Sequence, residues 1–247
     1  MRLTKILLGF IILLAISFIG FQIFELEELA IVVRIIILPM LTVLYCLKTK
    51  DRRSYFFYFL LCFSLAEFTG VFAFLPDPSS TIYELMYYGG NGLSIMAYIF
   101  LILELIKSMD LRMIWKNYPV HIFILLVLDI YSVILVSQVS ENSGYFEYTM
   151  EFVVEIVYNI VMMLLLTVTL VNYISRDSKK AMNLLLGALC IVFSEVIQVA
   201  YYYVSDENIF AVVYSVLLVL AFGFFYIQAN MNYVKEKNYE ILRKVES

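Results

Sequence analysis

Apolar residues in this chain neither alternate nor form narrow amphipathic stripes. They run in long blocks separated by short polar connections. Eight blocks stand out: Ile6 to Phe24, Ala30 to Leu47, Ser54 to Leu75, Leu85 to Ile106, Val120 to Val139, Phe152 to Ile174, Ala181 to Tyr203 and Ile209 to Met231. A helix rises about 1.5 Å per residue, so ~20 mostly apolar residues cross a ~30 Å hydrocarbon layer. The pattern therefore predicts an all-α fold, a bundle of eight transmembrane helices forming one domain over residues 1–233. A short charged cytoplasmic tail, 234–247, follows and is expected to extend the last helix near the membrane. The opening Met1-Arg2-Leu3-Thr4-Lys5 and its apolar run are expected to be a retained first helix, because the run is long and lacks a small-residue cleavage site.

The connections carry the orientation. Lys48, Lys50, Arg52 and Arg53 follow the second block; Lys107, Arg112 and Lys116 the fourth; Arg176, Lys179 and Lys180 the sixth. With Arg2, Lys5 and the tail, this puts 16 of the 17 basic residues on one face, leaving only Arg34. The opposite connections hold Glu25, Glu27, Glu28, Asp77, Glu84, Glu141, Glu147, Asp206 and Glu207 without a Lys or Arg. Basic connections stay in the cytoplasm, so both termini are expected there, in a multi-pass protein of the cell membrane.

Composition agrees: 63% of residues are hydrophobic and 15% charged, against roughly 25% charged in a soluble domain. The net charge of −4 is not an acidic surface, since acids and bases lie on opposite faces, and nothing supports nucleic-acid binding. The bilayer is the expected surrounding partner. Cys46, Cys62 and Cys190 fall inside apolar blocks without CxxC spacing and read as small buried hydrophobes. The single histidine, His121, has no ligand at metal-binding spacing and reads as an interfacial group, so neither metal nor cofactor is expected.

Candidate chemistry comes from charges at membrane depth, where each ionisable group costs at least ~2.5 kcal/mol and tends to face a bundle interior. These are Glu67, Asp129, Glu155 and Glu195, with Arg34 as the possible cation. Arg34 lies near the outer end of its span, where it could snorkel, pair with Glu28 or meet an anionic head group or the acids. Glu67 and Glu195 sit at similar depth in parallel spans, roughly 20 Å from their basic ends. Their surroundings also rhyme, Cys62-Phe63-Ser64-Leu65-Ala66-Glu67 against Cys190-Ile191-Val192-Phe193-Ser194-Glu195, as a four-plus-four duplication or chance would produce.

Two carboxyls in a low-dielectric cavity can hold one proton between them, a protonated acid beside an ionised base. Equally, each could be hydrogen-bonded to Ser64, Ser194, Gln198 or a tyrosine and simply fix helix packing. Most tyrosines fit an aromatic belt; Tyr98 and Tyr158 are expected to turn their hydroxyls inward. Glu151 and Glu155 are one turn apart, the first expected wet and the second facing the cavity. Pro39 is expected to kink the second span, and Gly89-Gly90-Asn91-Gly92 to mark close helix approach or a local break.

Three stretches carry a family likeness: Leu38-Pro39-Met40-Leu41-Thr42, Phe63-Ser64-Leu65-Ala66-Glu67, and Gly187-Ala188-Leu189-Cys190-Ile191-Val192-Phe193-Ser194-Glu195. Through them the chain resembles the YhhN family of eight-span lysoplasmalogenases, whose motifs read Lys-Pro, Ser-Leu-x-Gly-Asp and Gly-Ala-x-x-Phe-x-x-Ser-Asp. The family aspartates correspond to Glu67 and Glu195, the lysine position carries Leu38, and a histidine common in the fourth span has no counterpart. The resemblance implies hydrolysis of the vinyl ether bond of a lysolipid by Glu67 and Glu195. Arg34, Ser64, Tyr98, Asp129, Glu155, Tyr158, Ser194 and Gln198 would then line the substrate cavity, between the second, third, fifth and seventh spans. Two other functions fit the same residues: a non-catalytic carrier, sensor or partner subunit that binds an amphiphile, and a proton-coupled transporter. Oligomeric state is open.

Overall fold

The computed structural model describes residues 2–49, 54–70, 80–142 and 149–231. All regular structure among them is helical: α1 (Arg2–Ile23), α2 (Glu27–Lys48), α3 (Tyr55–Phe68), α4 (Ser80–Ser108), α5 (Leu111–Asn117), α6 (Pro119–Asn142), α7 (Thr149–Arg176), α8 (Lys179–Tyr203) and α9 (Asn208–Ala229). Seven of these, all but α3 and α5, are long and apolar enough to cross a membrane. The protein is thus a multi-pass helical membrane protein. The third apolar block becomes α3, an apolar helix of 14 residues. Residues 71–75 of that block, the Asp77-Pro78 turn and the 234–247 tail lie outside the described residues.

Polar side chains define where helices begin. Ser54 caps α3 by accepting from the Phe57 N–H, and Ser178 caps α8 by accepting from the Ala181 N–H. Asp110 does the same for Met113 and starts α5, a short helix the hydropathy pattern did not reveal. Buried Ile114 anchors α5 while Trp115 faces outward. α2 runs through Pro39 and α4 through its glycines without a break.

Seven helices close into a ring in the order α1, α2, α3, α4, α7, α8, α9, and α6 leans on α7 and α8 from outside. The ring has two unlike halves. Towards the basic connections it is filled by an aromatic core in which Phe59, Phe63, Phe222 and Phe225 meet with ring centroids 5.3–6.3 Å apart. Gly187 lets α9 approach α8: a Cβ there would lie 2.5 Å from the Phe225 ring. Gly90 plays the same part between α4 and Thr69, at 2.7 Å, while a Cβ at Gly89 or Gly92 meets nothing within 4 Å; the helix runs through all three without a break. Towards the acidic connections the ring opens into a polar cavity.

Candidate functional site

The cavity holds about 660 Å³ and is lined from α2, α3, α4, α7 and α8. Five segments reach it at their acidic-side ends, which is where the ring lacks aromatic filling. α6 contributes nothing to the lining, so the expectation that the fifth span helps form the cavity is corrected: α4 and α7 take its place. The reason is packing, since α6 stands outside the ring.

Glu67 and Glu195 both line this cavity, with Arg34, Glu155, Tyr158 and Gln198. Their partners differ. Arg34 grips Glu67 side-on, Nε to Oε2 at 2.7 Å and Nη2 to Oε1 at 2.8 Å, so both carboxylate oxygens face the guanidinium. Among the partners expected for Arg34, it meets Glu67 on the neighbouring helix α3. The Arg34 side chain keeps 23% of its exposure and Glu67 8%, so the pair forms one wall of the cavity.

Glu195 has no cation within ion-pair distance among the described residues. It accepts a hydrogen bond from the fully buried Tyr98 hydroxyl at 2.8 Å, and Tyr98 lies 3.4 Å from the Tyr158 hydroxyl, which stands against the same carboxyl. Both tyrosines point inward as expected, and their rings meet edge to face at 5.8 Å.

Further along α7, Glu155 accepts from Asn159 at 3.4 Å and Ser140 at 3.5 Å. Glu151, expected to be wet, is instead buried at 7% exposure, because α7 packs on α4 at this level and the Tyr87 hydroxyl reaches the Glu151 carbonyl.

Four residues expected in the cavity lining lie outside it: Tyr98, fully buried with its hydroxyl on Glu195, and Ser64, Ser194 and Asp129. Ser64 is turned into the α2/α3 contact, donating to the Leu60 carbonyl at 2.7 Å and meeting the Thr42 hydroxyl at 2.9 Å. Ser194 clasps α8 to α9 by donating to the Tyr214 carbonyl at 2.8 Å. Asp129 belongs to α6 and accepts from Thr167 of α7 at 2.7 Å, outside the cavity lining. Each of these last three is a polar clamp between neighbouring helices, the role that small hydroxyls and carboxyls play where lipid offers no alternative partner.

Asn91 and Ser94 line the cavity and were not anticipated. The signal was available: Tyr87, Asn91, Ser94 and Tyr98 recur at helical spacing on one face of α4, a polar stripe that periodicity alone marks as inward. No protein-family model, curated protein or solved structure matches the chain.

Proposed function

We propose that the chain is a lysoplasmalogenase-like hydrolase of the cell membrane, with eight spans, both termini in the cytoplasm and its cavity open to the outer leaflet. The observation that carries this reading is the unequal pairing of two glutamates across one cavity: Arg34 on Glu67, phenols on Glu195. The basic connections on one face support the orientation. In the proposed reaction Glu195 gives its proton to the outer carbon of the enol ether, and the adjacent carbon becomes an oxocarbenium ion. Glu67, paired with Arg34, stabilises that cation and takes a proton from the attacking water. The resulting hemiacetal collapses to a fatty aldehyde and a glycerophospho head group, so one water is consumed and no electrons are exchanged. Likeness to the YhhN motifs supports the same assignment.

One observation favours a second reading, amphiphile binding without turnover. Side-on engagement of Arg34 occupies both Glu67 oxygens, as purely structural ion pairs do. The two readings separate on purified protein given lysoplasmenylethanolamine. Release of aldehyde that is lost in Glu195→Gln supports the hydrolase. A lipid retained through purification with no aldehyde formed supports the binder, and aldehyde release unchanged in the Glu67→Gln, Glu195→Gln double variant overturns the carboxylate mechanism.

A further inference from the structure

A second cavity lies on the other side of Arg34. It is walled by α1, α2 and α9, and apart from Arg34 and the Tyr226 hydroxyl its lining is entirely hydrocarbon and aromatic ring. Arg34 is the one residue common to the linings of the two cavities. Along α1 the apolar walls run from Phe18, level with Arg34, to Leu8, and ten helical positions correspond to about 15 Å, the reach of an extended chain of about a dozen carbons. Its far end is marked by Tyr226, whose hydroxyl receives the Lys48 ammonium. Gly223 lines the α9 wall, and a Cβ added there meets nothing within 4 Å, so the space is open to a larger side chain.

A polar cavity and an apolar groove that meet at the two sides of one arginine match the two parts of a single-chain amphiphile. We propose that this groove is the seat of the hydrocarbon chain of the lipid whose head group occupies the polar cavity. The chain runs from Arg34 towards the basic end of the bundle, and the head-to-chain junction then falls beside the Arg34 and Glu67 pair. The head group's identity rests on the lysolipid reading above; the groove's occupancy by an alkyl chain does not. Filling the groove therefore sets chain-length preference: the longer the chain, the more it depends on the space beside Gly223 and Ala15.

The test uses the full chain in lipid nanodiscs and a saturated 1-O-alkyl lysophosphoethanolamine, which cannot be hydrolysed at a vinyl ether, carrying a diazirine at the chain terminus in an octyl to octadecyl series. The expected result is labelling of α1 and α9 near Leu8, Ile11 and Tyr226 by long-chain probes. Gly223→Leu, and independently Ala15→Phe on the facing helix, should lower long-chain labelling about tenfold while leaving the octyl probe nearly unchanged. Labels scattered over the outward faces of the bundle, equal competition by excess diacyl phospholipid, or an unaltered length profile in both variants would overturn the groove. Groove labelling without aldehyde release from the vinyl ether lipid removes the hydrolase reading and leaves the groove standing. Aldehyde release with scattered labelling does the reverse.

Discussion

Glu67 and Glu195 are the same residue type, come from similar stretches of sequence and line the same cavity, yet they sit in opposite electrostatic surroundings. At Glu67 a guanidinium covers both oxygens. At Glu195 the nearest polar groups are phenols, and the pocket behind them is closed by Tyr98 at 0% exposure. A guanidinium on both oxygens supplies a full counter-charge, whereas the phenols supply only neutral donors. Sequence similarity between two helices thus hides a difference that comes wholly from their neighbours, α2 for one and α4 with α7 for the other.

The largest expected effect breaks the Glu195 side. Glu195→Gln keeps the shape and the Tyr98 hydrogen bond but removes the transferable proton, so aldehyde release in a coupled assay should fall by roughly 10²–10⁴. Lipid retention should stay the same. Next comes the Glu67 side: Arg34→Met leaves a nearly buried carboxylate without its cation and should cost about 3 kcal/mol in a detergent or urea unfolding titration. Adding Glu67→Leu to Arg34→Met should restore most of that loss, since no buried charge is then left unpaired.

The helices that carry the two acids are anchored by different glycines, which gives a finer comparison. Gly187→Ala forces a Cβ to 2.5 Å from Phe225, a ring at 0% exposure that is wedged against Phe59 and Phe222, so about 2 kcal/mol of overpacking is expected by thermal melting.

 Gly90→Ala meets only the Thr69 side chain, whose hydroxyl can turn away at the loss of its bond to the Ala66 carbonyl, so about 1 kcal/mol is expected in the same measurement. Tyr98→Phe removes one neutral donor from Glu195 and should cost about 1 kcal/mol of stability. Smallest of all, Asp129→Asn should leave aldehyde release unchanged, because its carboxyl meets Thr167 away from the cavity. A large loss there would extend the site to α6 and blur the contrast between the two glutamates.

Much of the fold was legible because lipid imposes a simple rule: a segment that crosses must be long and apolar, and its backbone must be helical. That rule places α1, α2, α4 and α6 to α9 within a few residues of their apolar blocks. It says nothing of which helices touch, and this is why α6 was assigned to a cavity that it stands outside. Glu67, Glu195, Arg34, Glu155, Tyr158 and Gln198 could be found from the sequence since an ionisable or amide group at membrane depth needs a reason to be there. Ser64, Ser194 and Asp129 satisfy the same test but answer it with a neighbouring helix rather than a cavity. Polarity shows that a side chain turns inward; only packing shows whether it meets a partner or a void. The stripe of Tyr87, Asn91, Ser94 and Tyr98 was readable by spacing, whereas the Arg34 grip on Glu67 joins two helices and depends on how they pack.

The division of labour between the two glutamates is tested most directly by infrared difference spectroscopy of the full chain in nanodiscs, following the carbonyl stretch of protonated carboxyl groups. A band from a buried protonated carboxyl should be present in the native protein, disappear in Glu195→Gln and persist in Glu67→Gln. Loss of that band in Glu67→Gln with retention in Glu195→Gln would contradict the assignment of the proton to Glu195.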